Sequence, residues 1–86
     1  MTGKELKQFF ETHLVPSSLY KIGGKHNHRI CMEQVKGGWE VFFSDHKDRI
    51  GVLRFADEAS ACVRMKEEIR KVMEQLYGLT WAAGTA

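Results

Sequence analysis

The sequence is 86 residues long and carries 13 Lys+Arg against 11 Asp+Glu, a formal net charge of +2. That length holds one small core and excludes an enzyme assembled from separate cofactor and substrate domains. The charge lacks the dense positive field on which non-specific nucleic-acid binding rests, and 43% hydrophobic with 28% charged residues is the balance of a folded chain. No apolar run approaches the roughly 18 residues that span a bilayer, and Met1 leads into polar Thr2-Gly3-Lys4-Glu5. The expectation is a cytoplasmic protein with no membrane contact, in which Cys31 and Cys62 stay reduced and buried.

Thr2-Gly3-Lys4-Glu5 fits a capping box, and Leu6, Phe9, Phe10, His13 and Leu14 follow at helical spacing. A first amphipathic helix should run from there and stop before Pro16, with His13 as a partly buried, hydrogen-bonded residue of no catalytic role. Pro16-Ser17-Ser18 is turn chemistry, residues 19–22 form an optional short strand, and Gly23-Gly24-Lys25-His26-Asn27 reads as a loop. Three strand-length segments come next, at 28–35, 39–45 and 49–55, separated by Lys36-Gly37-Gly38 and His46-Lys47-Asp48. Connections this short make the three an antiparallel meander. In the central segment Trp39, Val41 and Phe43 share one face, taken as the core, and Glu40, Phe42 and Ser44 share the other.

Asp57 caps a second helix with Glu58 in its first turn. Cys62, Met65, Ile69, Val72 and Leu76 continue its apolar stripe to Tyr77, where Gly78 supplies the stop. Lys66, Glu67, Glu68, Arg70, Lys71 and Glu74 form a solvated face of alternating sign. The predicted architecture is a two-layer α+β domain of order α-β-β-β-α, in which an antiparallel sheet packs on two helices. It covers residues 1–78, with 79–86 as a flexible tail.

Histidine accumulates locally. If Gly37 and Gly38 are the hairpin loop, Arg29 opposes His46, and one sheet edge gathers His26, His28, Asp45, His46 and Asp48. Imidazole and carboxylate ligate zinc or copper. A solvated edge is the favoured reading, since no second pair of spaced ligands accompanies His26-x-His28. No metal and no cofactor are expected. There is no nucleophile motif, phosphate-cradling loop or dinucleotide fingerprint, so the expectation is a protein without enzymatic turnover.

The α-β-β-β-α order matches double-stranded RNA-binding domains, but acidic Asp57 and Glu58 stand where those domains place phosphate-gripping lysines. Nucleic acid is therefore the alternative partner rather than the expected one. Val15-Pro16, Leu19-Tyr20, Gly23-Gly24, the run from Gly38 through Trp39-Glu40-Val41-Phe42-Phe43 to Ser44, Leu53-Arg54-Phe55 and Asp57-Glu58-Ala59 with Cys62 carry a closer likeness. In that order and spacing they resemble short bacterial immunity proteins encoded beside polymorphic toxins, including contact-dependent growth inhibition systems. The turn Asp45-His46-Lys47-Asp48 departs from that family's Glu-Arg-Gly-like turn. The resemblance implies stoichiometric inhibition: a one-to-one complex with the C-terminal domain of a cognate toxin. On the sheet face opposite the expected core, Phe42 and Arg54 would then be the binding anchors beside Glu40, and Asp45 and Asp48 at the edge would pair with basic groups of the toxin.

Overall fold

The computed structural model describes residues 1–46, 48–78 and Trp81. Two helices, α1 (Gly3–Thr12) and α2 (Glu58–Tyr77), pack on one side of a four-stranded sheet of β1 (Tyr20–Ile22), β2 (Arg29–Val35), β3 (Gly38–Asp45) and β4 (Asp48–Phe55). The strands lie side by side in chain order. This is an α+β fold in which β2, β3 and β4 form the expected antiparallel meander.

The optional strand is present, and it corrects the all-antiparallel expectation: β1 runs parallel to β2, with Tyr20 beside Ile30 and Ile22 beside Met32. A parallel return of a dozen residues is needed only for strands of ordinary length. A strand of three residues spans about 10 Å, which the segment 23–28 covers easily. Gly23 (φ 86°) and His28 (φ 63°) turn the chain at the two ends of this return, and the His26 carbonyl passes within 3.5 Å of Cys31 Sγ on the face away from the helices.

α1 begins as its sequence dictates. Thr2 Oγ1 accepts from Glu5 N–H and Glu5 Oε1 accepts from Thr2 N–H, the reciprocal capping box. It ends earlier than its apolar pattern suggests. Val15 N–H donates to Phe10 O and Leu14 N–H to Glu11 O, a Schellman pair in which Leu14 occupies the left-handed position usually given to glycine. Leu14 is consequently 83% exposed rather than in the core, and His13, also exposed, stacks on Phe9. Trp81 packs edge-on to Phe9 at 5.0 Å, so this part of the expected tail lies against α1; the other residues of 79–86 lie outside the described residues.

α2 has the expected bounds, with Asp57 Oδ1 accepting from Ser60 N–H and Gly78 left-handed at φ 70°. Its buried stripe is Ala61, Cys62, Met65, Ile69 and Met73, and Leu76, assigned inward from the sequence, is exposed. A straight helix of 3.6 residues per turn drifts off a strict three-and-four alternation, which passes the inward role to Met73. Glu58 Oε2 accepts from Gly3 N–H at 2.8 Å, tying the two helix N-termini together. A Cβ on Gly3 would stand 3.0 Å from Ile22 and 3.2 Å from Met32, so the absence of a side chain lets α1 approach the sheet.

Candidate functional site

Two surfaces of the sheet carry chemistry, and a one-residue irregularity in β4 sets both. Val41 pairs with Leu53, whereas Phe43 pairs with Ile50, so Gly51 and Val52 together oppose Phe42. Gly51 has φ 63°, the left-handed residue of a glycine bulge. Arg49 and Arg54 are five positions apart, and strict alternation would send them to opposite faces. The bulge brings both to the helix-free face.

There they close on Glu40. Arg49 Nη1 donates to Glu40 Oε1 at 2.7 Å, Arg54 Nε donates to Oε2 at 2.9 Å, and Arg49 Nη2 reaches Glu33 on β2. The Glu33 carboxylate first, and Glu40 with it, hold the Arg49 guanidinium above its ordinary pKa. Arg49 also lies over the Phe42 ring, 4.3 Å from its centroid. Phe42 is 2% exposed, so the aromatic expected as an open anchor is covered. The sequence reading placed its ring on the correct face and missed the arginine that covers it. Of the five expected binding residues, Glu40 is buried within this network, the Arg54 side chain is 74% exposed beside it, and Asp45 and Asp48 pair with each other across the β3–β4 turn.

The helix-side face corrects another expectation. Trp39 and Val41 contribute to the core as predicted, but Phe43 is 40% exposed. α2 lies over β2 and β3 and leaves the far end of the sheet uncovered. Ile30, Phe43, Ile50 and Leu53 line a groove of about 420 Å³, closed on its α2 side by Arg64 and Glu68, themselves ion-paired at 2.9 Å. Ile50 is 49% exposed, and β4 is the last strand of the sheet, so its outer backbone groups face away from β3.

The hairpin registers decide which histidines meet. The β2–β3 loop is Lys36-Gly37 rather than Gly37-Gly38, because Gly38 already pairs with Val35. Gly37 supplies the positive φ, while Gly38 is needed for a different reason: a Cβ there would stand 2.4 Å from the Phe55 carbonyl oxygen. Arg29 therefore opposes Ser44 instead of His46. The shift of two keeps every residue on its expected face. His28, Asp45 and His46 converge, while His26 turns its Nδ1 to the Asn27 carbonyl and stays outside the group.

Both thiols are free and buried. Burial pushes Cys62 up to about 11, and it raises Cys31 as well, which is the setting of packing residues rather than nucleophiles. No helix among the described residues is long and apolar enough to cross a membrane. No family model, curated protein or solved structure matches the chain.

Proposed function

We propose that this chain is an immunity protein that neutralises a cognate bacterial toxin domain by binding it one-to-one, without turnover, and that the toxin docks along β4. The observation that carries this reading is the uncovered apolar groove formed by Phe43 of β3 with Ile50 and Leu53 of the edge strand β4, rimmed by the Arg64–Glu68 pair. Contiguous exposed apolar surface with a polar rim is the mark of a protein-binding site. An edge strand adds unpaired main-chain groups that a partner strand can extend. Arg54 on the other side of the same strand, with most of its side chain exposed, supplies a charged contact within reach of the same partner. The toxin as partner rests on the sequence resemblance, and the absence of turnover on the lack of any recognised catalytic set.

The test begins with the gene's immediate upstream neighbour, which should end in a toxin module. Equimolar protein should abolish the module's activity, and calorimetry should give a one-to-one complex. Ile50→Lys should weaken that complex by about 2 kcal/mol, roughly thirtyfold in Kd, with the unfolding transition unchanged. Full affinity in an Ile50→Lys, Leu53→Lys double variant would remove β4 as the docking surface. Retarded migration of duplex RNA at physiological salt, with no effect on the toxin module, would replace the reading with the RNA-binding alternative.

A further inference from the structure

Where the chain enters β2 and turns out of β3, three side chains with metal-binding atoms converge. His28 Nδ1 and His46 Nε2 each lie 3.7 Å from Asp45 Oδ1, and one ligand atom from each residue falls within 4.8 Å of the others. The two rings meet edge to face with centroids 5.3 Å apart. At 3.7 Å neither nitrogen is hydrogen-bonded to the carboxylate. The gap is instead close to the roughly 3.4 Å between two ligands that each stand about 2.1 Å from a shared tetrahedral ion.

The backbone holds this convergence in place. His28 and His46 both have positive φ, 63° and 56°, a conformation that costs a non-glycine residue. His28 N–H donates to the Ser44 carbonyl at 2.7 Å, which fixes the start of β2 against the end of β3. Asp45 is held by its pairing with Asp48. Left-handed backbone at two histidines from different segments turns both rings toward one carboxylate. The side chain of His28 is 64% exposed and that of His46 is 79% exposed, so both rings can close on an ion without displacing packed neighbours.

We propose that His28, Asp45 and His46 form a binding site for a divalent transition-metal ion of the zinc class, with water completing the coordination. Two imidazoles with one carboxylate suit borderline ions such as zinc and disfavour magnesium and calcium, which prefer oxygen donors throughout. The open positions make this an exchangeable site on the sheet's end. It does not depend on what docks along β4.

The probe is Zn²⁺ alone, titrated calorimetrically into the full chain, with the imidazole nitrogens followed by long-range proton–nitrogen NMR. One equivalent should bind, shifting the ring signals of His28 and His46 and leaving those of His13 and His26 in place. His46→Asn, with a residue that tolerates left-handed backbone, and Asp45→Asn should each weaken binding about tenfold or more, while the apo unfolding transition stays where it is. Should His28→Asn disturb folding, the exposed His46 position decides alone. His26→Ala should bind as the unmodified chain does. Unchanged zinc affinity in His46→Asn, or equal shifts at all four histidines, overturns the assignment.

Discussion

Arg49 is the residue on which the helix-free face turns, and two substitutions there separate its charge from its bulk. Arg49→Met keeps an apolar chain over Phe42 and removes the guanidinium that bonds Glu40 and Glu33. Glu40 keeps Arg54 as a partner, and the Arg49 side chain is 35% exposed, so each lost ion pair is discounted toward the surface value of about 0.5–1 kcal/mol. With about 0.5 kcal/mol for the cation–π contact that goes with the guanidinium, the loss for Met is about 2 kcal/mol. Arg49→Ala also uncovers Phe42. Exposing roughly 40 Å² of that ring at about 25 cal/mol per Å² adds about 1 kcal/mol. The expected order is then the unmodified chain, Met about 2 kcal/mol below it, and Ala about 3 kcal/mol below it, read by urea unfolding. In about 1 M salt the Debye length falls to about 3 Å, so the gap to Met should narrow while the gap from Met to Ala persists. Equal stability of the Met and Ala variants would show that Arg49 does not cover Phe42.

Three further outcomes follow from the structure. Gly38→Ala drives a Cβ to 2.4 Å from the Phe55 carbonyl, so it should cost about 2 kcal/mol or more, and a calorimetric melting temperature within a degree of the unmodified protein would refute the close approach. Ser44 Oγ is buried and has no hydrogen-bond partner, so Ser44→Ala should leave stability unchanged or raise it; a loss above about 1 kcal/mol in urea titration would mean the hydroxyl is bonded. Glu5, Asp57 and Glu67 are held below their ordinary pKa values, the first two chiefly by the backbone N–H groups they cap and Glu67 by Arg70. A carboxylate depressed in the folded state contributes stability above its unfolded pKa and loses it as pH falls through the folded value. The melting temperature should thus decline below about pH 4.5, and Asp57→Asn should flatten that decline while keeping the cap acceptor.

Local signals in the sequence carried most of the architecture. The Thr2–Glu5 box, the Asp57 cap and the Gly78 stop are short-range chemistry, and they place α2 at its observed bounds. The strand faces were equally legible, because alternation is insensitive to a register shift of two; the misassigned Lys36-Gly37 loop left Phe42 and Val41 on their correct sides. What escaped was non-local or depended on a single residue. Parallel pairing of β1 follows from how short that strand is, which no periodicity records. Gly51 lies inside an apparently regular strand, where an isolated glycine is itself a bulge signal. The bulge, which plain alternation does not contain, is what makes Arg49 the cover of Phe42. The cluster of His28, Asp45 and His46 was half visible: the edge was identified, but the positive φ that turns two of its rings inward was not.

The bulge links the two faces of β4. Downstream of Gly51, Leu53 and Phe55 face the helices and Arg54 faces away; upstream, the added residue sends Ile50 to the helix side and Arg49 away. A regular strand with the same sequence would place Arg49 on the helix side, next to the groove, and Ile50 over the polar network. The groove would then have a charge in its floor, and Phe42 would lose its cover. One extra residue in an edge strand therefore keeps the apolar groove and the Glu40 network apart. Bulges also twist an edge and discourage indiscriminate pairing with other sheets. An edge strand that is apolar on one side, charged on the other and twisted between them favours one shaped partner over general association, as the proposed inhibition of a single toxin would require.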